Sequence, residues 1–165
     1  MFMKEKIIES LQGMPEEELQ AIYRLIEAKK ATYHRPLAFV QEMMKFENCG
    51  LHDGAYIYEM TVQEEMLNRY GILHGGLMTA FIDTAMAETA FAVDHSVGRA
   101  LTLNLSVDFI APGRLSDVLQ ARIMPIQNSR AILVFRGEVL NHEQKLLATA
   151  LAHFYKQPRR TDEHA

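Results

Sequence analysis

The sequence predicts an α+β protein in which an antiparallel sheet packs against one long helix. Three observations lead to this fold class: a helical segment that is apolar on every side, a segment in which apolar and polar residues alternate, and short turns between the other strand-like segments. The composition agrees with one folded domain, because 48% of the 165 residues are hydrophobic and 23% are charged. The same figures exclude intrinsic disorder.

The first 45 residues are predicted to form a separate helical extension. A helix is expected to begin at Pro15, because proline suits a first turn and the acids at 16–18 favour the positive end of the helix dipole. It is expected to end near Ala31, and residues 37–45 are predicted to form another short helix. The first helix carries an apolar stripe of Leu19, Ile22, Tyr23 and Ile26. This face must pack against its own domain or against a partner.

Strands are predicted from residue 46 onward. Residues 46–51 and 55–62 flank the turn His52-Asp53-Gly54, which is typical of a hairpin. Further strands are predicted over 117–127, 130–141 and 146–156. Their short links make the sheet antiparallel.

The clearest strand signal covers residues 101–109, where apolar residues alternate strictly with polar ones. This pattern predicts a half-buried strand with Thr102 on its polar side. Pro112-Gly113 ends it.

The central helix is the most informative element. Between Leu77 and Val93 every residue is apolar, alanine or threonine, except Asp83 and Glu88. A helix that is apolar all round needs cover on all sides, and one sheet covers one face, so the N-terminal helices or another subunit must cover the rest. Asp83 has no basic neighbour one turn away, so a distant donor must match it or it has a functional use. Glu88 is interpreted as a carboxylate of the helix end or of an interface.

The helix is preceded by His74-Gly75-Gly76. Glycines at a helix start let a ligand approach unpaired N–H groups at the positive end of the dipole, which is a natural site for polarising a carbonyl. From His74 to Asp83 the helix rises roughly 13 Å, too far for both groups to act on one small reacting centre. If they cooperate, the acid belongs to a second copy of the chain, and a two-fold dimer would also cover the apolar helix.

The motif Asn68-x-x-Gly71-x-x-His74-Gly75-Gly76, followed by Asp83 and by Phe109-Ile110-Ala111-Pro112, resembles the hotdog-fold acyl-CoA thioesterases of the phenylacetate-degradation (PaaI) type. The resemblance implies a hotdog fold, a curved antiparallel sheet wrapped around a long central helix. It also implies a homodimer or a dimer of dimers with shared active sites. The expected domains are a helical extension over 1–45, a hotdog thioesterase domain over 46–157 and a polar tail over 158–165.

The resemblance implies hydrolysis of an acyl-CoA to the free acid and CoA. Asp83 would be the general base or the nucleophile, and the Gly75 N–H of the opposite subunit would polarise the thioester carbonyl. Thr102 would help to hold the attacking water, and His74 would orient the site. The implied catalytic residues are Asp83, Gly75, His74, Asn68 and Thr102, and the implied substrate-binding residues are Gly76 and Arg130, the latter for CoA phosphates. Candidates to line an acyl pocket are Met78, Phe81 and Met86.

Other classes of function fit less well. The net charge of −4 argues against a nucleic-acid partner, and no segment resembles a targeting peptide or a membrane span. Cys49 is the only cysteine, which favours a reducing, cytoplasmic location. No metal, cofactor or phosphate-loop motif occurs, so no metal or cofactor is expected. Two alternatives stay open: a non-catalytic acyl-CoA sensor or regulator, and a hotdog dehydratase of hydroxyacyl thioesters.

Overall fold

A computed structural model describes residues 2–33 and 39–159 of the chain. The chain divides into two compact units, Met1–Met43 and Met44–Ala165. The predicted domain boundary between residues 45 and 46 stays a prediction, and the expected polar tail lies outside the described residues from position 160 onward. No described helix is both long enough and apolar enough to cross a membrane.

The N-terminal helices are α1 (Met3–Ser10), α2 (Glu16–Ala31) and α3 (Phe39–Met44). Helix α2 begins directly after Pro15 and ends at Ala31, as the proline, the glutamates and the apolar stripe predict. Helix α1 is not predicted from the sequence, because its two turns are too short to show a helical period. A local contact marks its start, where the Glu5 carboxylate accepts the Phe2 N–H at 2.8 Å.

The second unit contains a six-stranded antiparallel sheet and one long helix, α4 (Gly75–Val93). The strands are β1 (Glu47–His52), β2 (Ala55–Thr61), β3 (Val97–Phe109), β4 (Val118–Asn128), β5 (Ile132–Leu140) and β6 (Leu146–Pro158). Their order across the sheet is β1-β2-β4-β5-β6-β3, so β3 lies at one edge. All six predicted strands and the central helix are confirmed. Strand β3 begins four residues before the alternating segment, at Val97.

The core lies between α4 and the sheet. One face of α4, which includes Met78, Phe81 and Met86, is buried. The helix approaches the sheet so closely that a Cβ on Gly137 of β5 would lie 2.7 Å from the Met86 Cε atom. The remaining face of α4 is half-buried in the single chain. It consists of Leu77, Thr79, Ala80, Asp83, Thr84, Ala87, Glu88 and Phe91.

Tyr58 of β2 and Thr89 of α4 form a polar contact inside this core. Both residues are fully buried, and their hydroxyl oxygens lie 3.0 Å apart. The Thr89 hydroxyl also donates to the Ala85 carbonyl at 2.8 Å. Because a threonine hydroxyl has a single proton, the phenol must donate to Thr89. Burial raises the pKa of Tyr58 to about 12, so the phenol keeps that proton near neutral pH.

Thr89→Val should therefore destabilise the protein by about 1–3 kcal/mol, because it leaves the buried Tyr58 hydroxyl without an acceptor. Tyr58→Phe should cost less, because Thr89 keeps its bond to Ala85. Urea unfolding of the full chain at one protein concentration measures both effects. Adding Tyr58→Phe to Thr89→Val should recover part of the loss. A Tyr58→Phe variant less stable than Thr89→Val would contradict this assignment of the proton.

Candidate active site

The loop before α4 is held rigidly by hydrogen bonds within the chain. The Asn68 side chain accepts the Tyr70 N–H at 2.9 Å, and its backbone N–H donates to the Ile72 carbonyl at 2.8 Å. Gly71 has φ +71°, a conformation that favours glycine. Two further bonds, from Leu73 N–H to Gly113 and from His74 N–H to Met66, anchor the end of the loop. In the single chain, Asn68 thus shapes the loop that leads to the helix.

His74 caps the start of α4. Its Nδ1 atom accepts the Gly76 N–H at 2.9 Å, so that nitrogen carries no proton in this arrangement. A Cβ on Gly76 would lie 3.1 Å from Nδ1, closer than an ordinary contact. The cap therefore favours glycine at this position, and the Gly76 N–H is already engaged by the chain itself. A histidine cap is unusual, since caps are mostly Ser, Thr, Asp or Asn.

Gly75 lies at the wall of an open, mostly apolar cleft. As the first residue of α4, its N–H has no helical carbonyl one turn back to accept it. A Cβ on Gly75 would lie 3.4 Å from the ring of Phe109, so that ring covers the glycine directly. The cleft has a volume of about 340 Å³ and is lined by Asn68, Ile72, Leu73, Gly75, Met78 and residues 109–113. An N–H at a positive helix end beside apolar walls suits a carbonyl with an apolar substituent.

Of the three acyl-pocket candidates, only Met78 lines this cleft. Phe81 and Met86 are fully buried in the core. Apolar side chains are equally typical of a core and of an acyl pocket. The sequence therefore does not distinguish core residues from pocket residues among the three. No role in the site was predicted for Phe109, although the alternation marks it as the apolar end of β3.

Asp83 does have a donor from a distant part of the chain. Thr102 of β3 donates its hydroxyl to Asp83 Oδ1 at 2.8 Å. Among the residues that the structure describes, we find no other hydrogen bond to this carboxylate. The half-buried Asp83 carboxylate is thus oriented by one neutral donor and keeps acceptor capacity for a water molecule or a substrate.

The position of Thr102 corrects the prediction of strict alternation. Thr102 contacts α4 at Asp83, and Phe109 contacts α4 at Gly75. Seven residues separate the two, so a regular strand would place them on opposite faces. The register between β3 and β6 shifts between Thr102 and Asn104, and this bulge turns Thr102 toward the helix. The prediction that Thr102 shares the polar face of the strand was wrong.

Within one chain the two halves of the predicted site do not meet. Gly75 and Asp83 are eight residues apart on one straight helix, which is about 12 Å along its axis. The structure joins Asp83 with Thr102, and it separately joins Gly75 with Phe109 and Asn68 around the cleft. The remaining predicted site residue, Arg130, lies elsewhere.

Arg130 is exposed in the turn between β4 and β5. It lines a second cleft of about 360 Å³ together with Ser96, Tyr155 and Lys156. Lys156 Nζ binds Asp94 at 2.7 Å and Asn128 at 2.6 Å. The hydrogen bond from Lys156, and those from Ser96, hold the pKa of the Asp94 carboxyl well below its usual range. The Lys156 charge is thus matched within the chain, a pairing that sequence spacing does not predict because the two residues are far apart.

Comparison with known proteins identifies the class. Three solved structures share the fold. The BH2602 protein of Bacillus halodurans, solved with CoA, has a TM-score of 0.80 at 20% identity and covers 91% of this chain and 99% of its own. Escherichia coli PaaI has a TM-score of 0.65 at 23% identity over 82% and 94%. The smu.793 protein of Streptococcus mutans, bound to acetyl CoA, has a TM-score of 0.64 at 23% identity over 70% and 91%. The predicted hotdog fold is confirmed.

The family follows from sequence. The model of the Thioesterase superfamily matches residues 70–148. The acyl-coenzyme A thioesterase PaaI of Escherichia coli K12 is 30% identical over 99 residues, which cover 60% of this chain and 69% of that protein. The chain belongs to the thioesterase superfamily and is PaaI-like, as the motif around His74 predicts. The enzyme class predicted from the sequence is confirmed at this level.

Proposed function

We propose that the protein hydrolyses acyl-CoA thioesters to the free acid and CoA. The observation that carries the proposal is the Asp83 carboxylate, held by Thr102 on a mostly apolar helix whose one other acid is Glu88. Such a group costs free energy to bury and has no charged partner within reach of its own helix, which favours a functional use. The PaaI relative is named as an acyl-CoA thioesterase, and two of the structures that share the fold hold CoA or acetyl CoA.

The chemistry needs a donor on one side of the thioester and a base or nucleophile on the other. The Gly75 N–H donates a hydrogen bond to the carbonyl oxygen and stabilises the negative charge that develops there as a tetrahedral centre forms. Asp83 either takes a proton from the attacking water, or attacks the carbonyl itself and forms a mixed anhydride that water then opens. Either route breaks the C–S bond, and the thiolate leaves and takes up the proton released from water. Thr102 orients the carboxylate, and His74 orients Gly75 through the helix cap.

We propose that each site combines Asp83 of one chain with Gly75 of a second chain. Within one helix the two residues are about 12 Å apart. If two α4 helices lie side by side and antiparallel across a two-fold axis, Asp83 of one chain comes closer than that to Gly75 of the other. That axis would pass near residue 79, midway between the two residues. Thr79, Ala80, Thr84 and Ala87 are small and only half-buried, so a second helix can approach closely there.

The free edge of the sheet supports the same dimer. Strand β3 is 13 residues long and lies at the sheet edge, with Leu101 and Leu103 exposed. A long, apolar, uncovered edge is normally paired or blocked. Pairing of β3 with β3 of a second copy continues the sheet and is compatible with the two-fold axis. We propose a homodimer on this basis, with a dimer of dimers as the larger assembly.

The substrate would extend from the apolar cleft of one chain to the Arg130 cleft of a second chain, because in one chain these clefts lie at opposite ends of β3. Its acyl group fits the apolar cleft of Gly75, Met78 and Phe109, and Arg130 is the candidate for the CoA phosphates, because Lys156 is already matched by Asp94. Among the described residues, no cluster of three or more potential metal ligands occurs. The free thiol of Cys49 suits the cytoplasmic location that we propose.

An acyl-CoA panel tests the proposal. Purified protein is mixed with aryl, short-chain, medium-chain and long-chain acyl-CoA, and DTNB reports the released thiol. We expect thiol release from at least one member, with an apolar acyl group preferred. Binding without release from every member would favour a sensor. Hydration of an enoyl-CoA, followed at 263 nm, would favour the dehydratase.

A further inference from the structure

Helix α2 carries an exposed apolar surface outside the hotdog unit. This surface, the α2 stripe, consists of Leu19, Ile22, Tyr23 and Ile26. Tyr23 is 61% exposed and Ile26 is 41% exposed. The stripe borders a groove of about 580 Å³ that Leu11 closes from the end of α1. Four neighbouring apolar residues on one helix face are typical of a helix that packs against another.

The charges beside the stripe are arranged in two matched sets. On one side of the stripe lie Glu16 and Lys30, which are separated by about 40° around the helix. On the other side lie Glu18 and Lys29, which are separated by about 20°. Each side therefore has an acid at the N-terminal end of α2 and a base at the C-terminal end, and the Glu16 side also carries Glu27, about 20° from Glu16 around the helix. All five residues are exposed.

The charges of one α2 helix are therefore complementary to those of a second α2 helix that runs in the opposite direction. We propose that the α2 stripe docks against the α2 stripe of a second copy of this chain, antiparallel and across a two-fold axis at Tyr23. The midpoint of Glu16 and Lys30 is residue 23, and the midpoint of Glu18 and Lys29 falls between 23 and 24. Both acid–base pairs thus form twice across the same axis, as an isologous interface requires. The stripe itself is centred between Ile22 and Tyr23.

Other binding partners are complementary to a smaller part of the α2 stripe and its flanking charges. A parallel second copy places like charges against each other on both sides, which destabilises the pair. An acidic or a basic partner is complementary to only one end of α2. Lys30 also pairs with Glu27 of its own helix at 2.7 Å, but its ammonium has three donors and can bind both carboxylates. The proposal does not depend on the thioesterase activity.

Crosslinking at the axis tests the docking directly. In a full-length Cys49→Ser background, Tyr23→Cys places two thiols next to each other across the two-fold axis, whether the partner chain belongs to the same hotdog dimer or to another. We expect disulfide-linked dimers on non-reducing gels to form about ten-fold faster than with Glu17→Cys, because docking raises the effective thiol concentration. Glu17 is the matched control, since it lies on the opposite side of α2 from the stripe.

Charge reversal makes the test specific. Glu16→Lys with Glu18→Lys, and separately Lys29→Glu with Lys30→Glu, should each slow the Tyr23→Cys crosslink to the rate of the control. An equimolar mixture of the two variants should restore it as mixed dimers, and high salt should weaken it. Circular dichroism verifies that α2 stays helical in both variants. A Tyr23→Cys rate equal to that of Glu17→Cys, or a mixture that stays slow, would overturn the proposal.

Discussion

Asp83→Asn is expected to lower acyl-CoA hydrolysis by about 10²–10⁴-fold, the range typical of a lost general base. Asparagine keeps the shape of the side chain and still accepts the Thr102 hydroxyl at Oδ1, so the fold should be retained. It cannot take a proton from water or form an anhydride. The DTNB assay on the best acyl-CoA of the panel measures the loss, and circular dichroism with light scattering verifies the fold and the assembly.

Two further variants define the role of Asp83. Thr102→Val removes one neutral hydrogen bond to the carboxylate and should cost about ten-fold, whereas Thr102→Ser should retain most activity. Glu88→Gln is the matched control, because it neutralises the other acid of α4 and lies about 140° around the helix from Asp83. It should stay close to the wild-type rate. A similar loss for Glu88→Gln and Asp83→Asn would remove Asp83 from the mechanism.

Gly75→Pro is expected to lower the rate by about 10²–10³-fold, because proline has no N–H to polarise the carbonyl. Proline is well tolerated at the first position of a helix. The preceding residue, His74, has φ −62° and ψ 126°, a conformation that a following proline favours. Gly75→Ala is the matched control, since it keeps the N–H and adds a Cβ at an ordinary 3.4 Å from the Phe109 ring. Equal losses for proline and alanine would indicate a steric effect.

Mixed dimers reveal whether the site is shared. A dimer of one Asp83→Asn chain and one Gly75→Pro chain has one site with both changes and one site with neither. Random exchange between the two inactive variants should therefore restore about a quarter of the wild-type activity. Two affinity tags, one on each variant, confirm that exchange has occurred. Mixed dimers without activity would overturn the proposal that each site combines Asp83 of one chain with Gly75 of the other.

Most of the fold could be predicted because its signals are local. The apolar run of α4 indicates a buried helix, the alternation in β3 indicates a strand, and the turns between strands indicate the antiparallel order. The site could be predicted only in part. The motif around His74 identifies the family, but the sequence does not show that the His74 ring accepts the Gly76 N–H.

The sequence by itself determined the fold class, the family and the two ends of the candidate site, because composition, periodicity and motif are properties of neighbouring residues. The tertiary structure decided where those residues face. The bulge in β3 turns Thr102 toward Asp83, the Phe109 ring covers Gly75, and Lys156 binds Asp94. Each of these contacts joins residues far apart in the chain. They depend on strand register and on the approach of α4 to the sheet, which no local pattern contains.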